Sequence, residues 1–179
     1  MINDMKEILI SKEELEKKVT EMGAQISKDY EGKNLMLVSV LKGSVVFMAD
    51  LMRAITIPVS IDFMSVSSYG AGVKSSGVVK IIKDLDVSLE GKDLLLVEDI
   101  LDSGNTLSYL KKMLMNRNPN SIKIATLLDK PERRTADLYA DYFGFVVPDE
   151  FVVGYGLDYD EKYRNFPEVG VLKPEVYTK

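Results

Sequence analysis

The chain has 179 residues, of which 46% are apolar and 28% charged, a composition that predicts one compact domain with a sizeable core. It contains no cysteine and no histidine, which excludes disulfides, thiolate metal sites and the commonest general base. The net charge of −5 and the pI near 4.9 argue against a general nucleic-acid-binding protein, because such a protein needs a basic face.

Two further features bear on location and metal chemistry. No apolar run approaches membrane-spanning length, and residues 1–7 lack the pattern of a signal peptide. We therefore expect a cytoplasmic protein with no membrane partner. If the protein uses a metal, its ligands should be hard oxygen atoms, since the chain has no imidazole or thiol to offer.

The start of the chain predicts a helix, a strand and a second helix. Residues 11–14 form a capping box, and the apolar residues after it recur at helical spacing, which is typical of a packing helix. Residues 35–41 are predicted to form a strand, and residues 45–52 the next helix. The turn Lys42-Gly43-Ser44 between them could cradle an anion, although a plain turn explains the same residues.

A strand is predicted at residues 57–66, and the segment after it is rich in small residues. Residues 67–77 contain three glycines and four serines, which favours a mobile loop. Such a loop either links two strands or closes as a lid over a reacting centre. Another strand is predicted at residues 78–83.

Asp84 and Asp86 follow that strand and suggest an alternative function. In haloacid-dehalogenase-type phosphatases an acid after an apolar strand is the nucleophile, and Asp84-Leu85-Asp86 weakly resembles that motif. A turn before Gly91 explains the same residues. The phosphatase is therefore kept as the alternative hypothesis.

Residues 94–107 carry the strongest chemical signal. Residues 94–97 predict a strand buried on both faces, and helical spacing resumes after Thr106. Acids and a Ser-Gly-Asn-Thr turn lie between, at the strand end where open α/β sheets bind ligands. The free N–H groups of residues 103–106 make a seat for a phosphate, which Gly104 lets the backbone approach. The nearby carboxylates fit sugar hydroxyls, a metal ion or a proton to be removed. A simple helix N-cap, the alternative, needs fewer such groups.

The last third of the chain adds three candidate positions. A strand predicted at residues 121–128 ends before Lys130, which should leave the sheet at the same edge as Asp102. On the residues alone, Lys130 also fits a solvated strand end, and Phe151 fits a core position. Arg164, which is singled out by the resemblance given next, has forked donors that suit a phosphate group.

Residues 97–106, Val-Glu-Asp-Ile-Leu-Asp-Ser-Gly-Asn-Thr, resemble the phosphoribosyl-diphosphate signature of the type I phosphoribosyltransferases. Further matches between about residues 35 and 164 resemble the hypoxanthine-guanine branch of that family. The resemblance implies an α/β fold with a doubly wound parallel sheet flanked by helices. It also implies a single domain of residues 1–179, a small hood built from parts of both chain ends, and a cis peptide bond between Leu41 and Lys42.

The resemblance gives each matching residue a role. Phosphoribosyl diphosphate would be bound by Glu98, Asp99, Ser103, Gly104, Asn105 and Thr106. Its pyrophosphate would face Lys42, Gly43 and Arg164, and the lid would include Ser68 and Tyr69. The purine would be bound by Lys130, Phe151, Val152 and Asp158, with Asp102 as the general base. Magnesium would be held by Glu98, Asp99 and Asp158.

The implied reaction belongs to purine salvage. It transfers phosphoribose from 5-phosphoribosyl 1-diphosphate to a 6-oxopurine, hypoxanthine or guanine, giving IMP or GMP and pyrophosphate. The resemblance further implies Mg²⁺ as cofactor and a homodimer or homotetramer, without a nucleic-acid partner. Some proteins with this signature are instead nucleotide-sensing regulators that bind RNA or DNA, which the acidic pI disfavours here. Asn105 departs from the pattern of members that carry lysine at this position.

Overall fold

The computed structural model describes residues 1–68 and 79–178, in which the chain forms two β-sheets and four α-helices. The helices are α1 (Lys12–Asp29), α2 (Val45–Ala54), α3 (Asn105–Met115) and α4 (Pro174–Tyr177). The strands are β1 (Met5–Ile10), β2 (Leu35–Leu41), β3 (Ser60–Ser68), β4 (Val79–Lys83), β5 (Asp93–Leu101), β6 (Ser121–Asp129), β7 (Tyr142–Val146), β8 (Val152–Val153) and β9 (Val169–Leu172). None of the helices in these ranges is long and apolar enough to cross a membrane.

The larger sheet has six strands in the order β4-β3-β2-β5-β6-β7. Neighbouring strands from β3 to β7 are parallel, whereas β4 runs antiparallel to β3. The predicted doubly wound α/β fold with a parallel sheet is confirmed, and the antiparallel β4 is an addition at one edge. Only ten residues separate Ser68 from Val79, fewer than the roughly dozen that a parallel crossover needs.

The central strands β2 and β5 are buried on both faces, and their alternating side chains enter two separate cores. Leu37 and Leu95 are register partners that pack in one core with Phe47 of α2. Met36 and Leu94 belong to the opposite core, which α3 covers. Burial on both faces explains why the apolar run in β5 shows no alternation with polar residues.

Both ends of the chain meet in an antiparallel sheet of three strands, β1-β9-β8, which we call the hood. Met5 pairs with Leu172, and Val152 pairs with Val171. A small core of its own, which includes Phe166, supports this sheet. The hood brings the chain around β8 next to the carboxyl ends of β5 and β6.

Element boundaries follow the predictions except at two strands. The capping box of α1 is present, since Glu14 N donates to Ser11 Oγ at 3.2 Å and Ser11 N donates to the Glu14 carboxylate at 2.7 Å. β3 starts at Ser60, three residues later than predicted, after a proline that cannot donate a ladder hydrogen bond. β5 continues to Leu101 because its pairing with β6 continues, so Glu98 and Asp99 lie inside the strand and not after it.

Candidate active site

The turn predicted to seat a phosphate joins β5 to α3. Gly104 precedes the helix with φ of 80°, a left-handed conformation that strains residues with a side chain. The N–H groups in the first turn of α3 have no acceptor within the helix, and Ser103 Oγ accepts that of Asn105 at 3.3 Å. A cavity of about 300 Å³, here called the phosphate cavity, is lined by Ser103, Gly104 and Thr106 of this turn. The helix N-terminus makes the cavity suited to an anion.

Arg134, which the sequence did not single out, holds the backbone around Asp102. Its guanidinium donates to the carbonyl oxygens of Leu101 at 3.2 Å and Asp102 at 3.0 Å, and it forms an ion pair with Asp129. The Arg134 side chain is only 10% exposed, so water competes little for these bonds. The backbone is thereby fixed while the Asp102 side chain stays exposed. Within residues 1–68 and 79–178 no hydrogen bond engages the Asp102 carboxylate.

Glu98 and Asp99 also line the phosphate cavity. Burial raises the pKa of Glu98 well above its ordinary value, and the neighbouring charge of Asp99 adds to the shift. Burial likewise raises the pKa of Asp99 to about 6, although the Ile100 amide donates to its carboxylate at 2.8 Å. The surroundings thus shift the equilibrium of both acids toward the neutral form. A cation or hydroxyl donors bound beside them would favour the charged form instead.

The turn between β2 and α2 approaches these acids at Gly43, another lining residue of the phosphate cavity. A side chain at Gly43 would overlap the Oδ2 atom of Asp99, so it would fit only if that carboxylate moved. A side chain at Gly156 would in turn overlap the carbonyl oxygen of Gly43. The peptide bond between Leu41 and Lys42 is cis, as the resemblance implied.

A second cavity, of about 400 Å³ and here called the base cavity, lies between the hood and the ends of β5 and β6. It brings together the predicted purine-binding residues Lys130, Phe151, Val152 and Asp158. Asp102 and Ile100 line both cavities, so Asp102 stands at their junction.

Lys130 is a buried cation in the base cavity, with only 7% of the residue exposed. Its Nζ donates to the carbonyl oxygen of Glu150 at 2.9 Å. An ammonium has three donors, so this bond fixes the side chain and leaves donors for a ligand. The reading of Lys130 as a solvated strand end is therefore wrong.

Phe151 is 39% exposed and is not a core residue, contrary to the expectation from the residues alone. Its ring stacks on Tyr177 of α4 with a centroid distance of 4.9 Å and an interplanar angle of 21°. Tyr159 meets the same ring edge-on, at 5.6 Å and 87°. The sequence analysis did not single out either tyrosine. Tyr177 is distant from Phe151 along the chain, and Tyr159 is turned toward it only in the folded structure.

The predicted pyrophosphate-binding cations Lys42 and Arg164 line neither cavity. Arg164 donates to the Gly156 carbonyl oxygen at 2.8 Å and pairs with Asp158 at 3.2 Å. Glu161 connects the two cations, since one oxygen lies 3.1 Å from Arg164 Nη2 and the other 3.1 Å from Lys42 Nζ. The sequence did not single out Glu161, which lies in a run of exposed charges.

Two predictions remain, one for the lid and one for Asn105. Tyr69 and the side chain of Ser68 lie outside the described residues, so the lid stays a prediction. Asn105 contributes its Oδ1 atom to a hydrogen bond from Thr135 Oγ1 at 3.2 Å, which holds the start of α3 against the loop after Arg134.

The alternative phosphatase nucleophile, Asp84, is engaged elsewhere. Arg117 donates to both of its carboxylate oxygens, at 2.7 and 2.8 Å, and this ion pair lowers the pKa of Asp84. Asp84 follows the antiparallel edge strand β4 and lines neither cavity. Asp86, its neighbour in the motif, pairs with Lys83 at 3.4 Å. The phosphatase hypothesis is therefore not favoured.

The donor set for a metal is small. Among the residues that the structure describes, no three acidic side chains stand close enough to hold a metal ion alone. Asp158 is paired with Arg164 and accepts from Glu161 N at 2.9 Å, and it lines the base cavity but not the phosphate cavity. Magnesium in phosphate sites commonly takes one or two carboxylates and completes its shell with water and phosphate oxygens. The adjacent acids Glu98 and Asp99 fit that smaller set.

Comparisons with known proteins agree with this geometry. The model of the phosphoribosyl transferase domain family matches residues 6–160. The hypoxanthine-guanine phosphoribosyltransferase of Streptococcus thermophilus is 57% identical over 176 residues, which cover 98% of each chain. The bifunctional protein TilS/HprT of Listeria monocytogenes is 55% identical over all 179 residues, and the chain spans 28% of the length of that relative.

Structural similarity is equally extensive. The crystal structure of a hypoxanthine phosphoribosyltransferase from Staphylococcus aureus matches with a TM-score of 0.98 and 55% identity, covering 100% of this chain and 97% of that chain. The turn before α3, the adjacent acids and the two adjoining cavities thus occur in a chain that matches these enzymes over nearly its whole length. The chain belongs to the type I phosphoribosyltransferase family, in its hypoxanthine-guanine branch.

Proposed function

We propose that this chain transfers phosphoribose from 5-phosphoribosyl 1-diphosphate to a 6-oxopurine, forming IMP from hypoxanthine or GMP from guanine and releasing pyrophosphate. The observation that carries the proposal is the place of Asp102, which lines both the phosphate cavity and the base cavity. A phosphoribosyl group in the first cavity and a flat base in the second would meet beside this carboxylate.

Asp102 would act as the general base. The incoming purine must lose one proton from its imidazole ring as a nitrogen of that ring forms the new bond to C1′ and the bond from C1′ to the pyrophosphate oxygen breaks. An exposed carboxylate on a backbone fixed by Arg134 suits that transfer in a chain without histidine. As the leaving group departs, positive charge develops on the ribose, which nearby carboxylates would stabilise.

The phosphate cavity would hold the sugar phosphate. Residues 103–106 would bind the 5′-phosphate through N–H groups and hydroxyls. Glu98 and Asp99, which line this cavity, would contact the ribose hydroxyls or hold Mg²⁺. Bound magnesium would offset the negative charge of the diphosphate.

The base cavity would hold the purine. Phe151 would stack on the ring, Lys130 would donate to the carbonyl at position 6, and backbone groups near Val152 would meet the neighbouring edge. Asp158, paired with Arg164, would shape the cavity wall between the base and the pyrophosphate side.

A product assay tests the function. The protein would be incubated with 5-phosphoribosyl 1-diphosphate, Mg²⁺ and each of hypoxanthine, guanine, xanthine and adenine, and nucleotide and pyrophosphate would be separated and quantified. We expect both products in equal amounts with the first two bases. Failure of every base to yield nucleotide would refute the proposal. If the protein instead shifted RNA or DNA in a gel, and the shift weakened steeply as salt was raised, a nucleotide-sensing regulator would be favoured.

Three further expectations, on the metal, the compartment and the oligomeric state, rest on the family resemblance. The protein would require Mg²⁺, work in the cytoplasm and assemble as a homodimer or homotetramer. Sedimentation of the purified protein would give its mass in solution, and a monomer at all concentrations would contradict the last expectation. Addition of a chelator to the product assay would test the requirement for Mg²⁺.

Glu161→Gln should strengthen binding of the pyrophosphate group. Glu161 is ion-paired with Lys42 and Arg164, the cations that the resemblance assigns to pyrophosphate, and glutamine would remove its charge. Because Glu161 is 65% exposed, water and salt weaken these pairs, and we expect only a roughly two- to fivefold lower inhibition constant for pyrophosphate. Asp160→Asn is the matched control, since Asp160 is a neighbouring exposed acid that pairs with Lys162 instead. Equal effects of both changes would point to net charge alone.

Gly43→Ala should impair use of 5-phosphoribosyl 1-diphosphate. Its methyl group would overlap Asp99 Oδ2, and overpacking of this kind costs about 1–3 kcal/mol, or roughly five- to hundredfold in KM for that substrate. Gly91→Ala is the control, because Gly91 has φ of 74° and open space, so alanine there strains only the backbone. Steady-state kinetics and melting temperatures of both variants would be compared. Unchanged kinetics in Gly43→Ala would show that Asp99 moves freely.

A further inference from the structure

The end of the chain contributes an aromatic side chain to the base cavity. Tyr177 is the last residue of α4, and it lines the cavity together with Phe151 and Lys130. The Tyr177 and Phe151 rings are nearly parallel, with centroids 4.9 Å apart. No purine fits between two rings at that distance, because a flat base needs about 3.5 Å on each of its faces.

The hood holds Tyr177 in this place. Tyr177 and its neighbour Val176 pack against the hood core, which contains Met5, Val153 and Leu172. Lys173, just before α4, donates from its backbone N to the carbonyl oxygen of Asp4 at 2.9 Å. These contacts fix Tyr177 against the hood.

Two of the polar side chains proposed to meet the base come from the larger sheet. Asp102 follows β5 and Lys130 follows β6, whereas Tyr177 packs on the hood core. A purine in contact with them would use the face of Phe151 that Tyr177 leaves free. Tyr159 touches the ring of Phe151 from the side, at 87°, and limits its rotation.

We infer that Tyr177 is a positioning residue for the purine site, which acts by holding the ring of Phe151 from behind. The inference rests on the proposed function, because it takes Phe151 as the residue that stacks on the base. A ring fixed in advance loses little conformational freedom when the base arrives. An unsupported ring, on a residue that is 39% exposed, would lose more.

Replacing Tyr177 tests the inference in the full chain. Tyr177→Leu should raise KM for hypoxanthine and guanine by roughly three- to tenfold, the range that an aromatic pair supports. We expect kcat and KM for 5-phosphoribosyl 1-diphosphate to stay unchanged. Tyr177→Phe should restore wild-type values, because stacking does not need the hydroxyl group. Tyr139→Leu is the control, a tyrosine that is 75% exposed and outside the aromatic cluster.

A double-mutant cycle shows whether Tyr177 acts through Phe151. In the Phe151→Leu background, Tyr177→Leu should raise KM for the base no further. Additive effects of the two changes would overturn the inference, as would an unchanged KM in Tyr177→Leu. A lower KM in Tyr177→Leu would also overturn it, since the tyrosine would then cover the face that the purine uses. The wild-type product assay is a separate check: if wild type forms no nucleotide, the proposed function fails whatever the variants do.

Discussion

Asp102→Asn is expected to lower kcat by roughly 10²–10⁴, the usual contribution of a general base. Asparagine keeps the shape of the side chain but cannot accept the proton of the incoming purine. The backbone should stay in place, because Arg134 binds the carbonyl oxygens of Leu101 and Asp102 and does not bind the carboxylate. Binding of 5-phosphoribosyl 1-diphosphate should therefore change little.

The measurement compares kcat with the dissociation constant of 5-phosphoribosyl 1-diphosphate in wild type and variant. Asp137→Asn removes the same charge from an exposed acid that lines neither cavity, and it serves as the control. Wild-type turnover in Asp102→Asn would remove Asp102 from the role of base. A large loss of substrate binding would instead give it a part in holding the phosphoribosyl group.

Lys130→Met should abolish most of the preference for 6-oxopurines over adenine. An ammonium only donates, so it suits a carbonyl oxygen at position 6 and faces an amino group badly. A buried donor left without an acceptor costs about 1–3 kcal/mol, and each 1.4 kcal/mol is roughly a factor of ten. The side chain is buried and anchored on the Glu150 carbonyl oxygen at 2.9 Å, so it cannot turn away to solvent. Methionine has similar length but no donor.

The ratio of kcat/KM for hypoxanthine to that for adenine is the decisive quantity, with guanine as a second 6-oxopurine. It should fall by roughly tenfold or more in Lys130→Met. Lys123→Met is the matched control, since Lys123 lies on the same strand, β6, but is exposed. A melting temperature should accompany each value, because the variant also leaves the Glu150 carbonyl oxygen without its donor. An unchanged ratio would mean that the base is recognised by other groups.

Local patterns in the sequence predicted most of the elements that build the fold. The capping box before α1 and the apolar runs of β2, β5 and β6 each depend on a few neighbouring residues. The turn at Gly104 is likewise local, because one glycine with φ of 80° permits it. Such features need only short-range sterics and hydrogen bonds, and so they can be predicted without knowing what the chain packs against.

The direction of β4 and the partners of the site's charged residues depend on the tertiary structure. Arg134 binds carbonyl groups 32 and 33 residues away, and Glu161 pairs with Lys42 across 119 residues. Tyr177 reaches Phe151 only because β1 and β9 join the two ends of the chain in the hood. A charged or aromatic side chain at the surface has many possible partners, all of similar local energy. The packing of the sheet and the hood selects one of them.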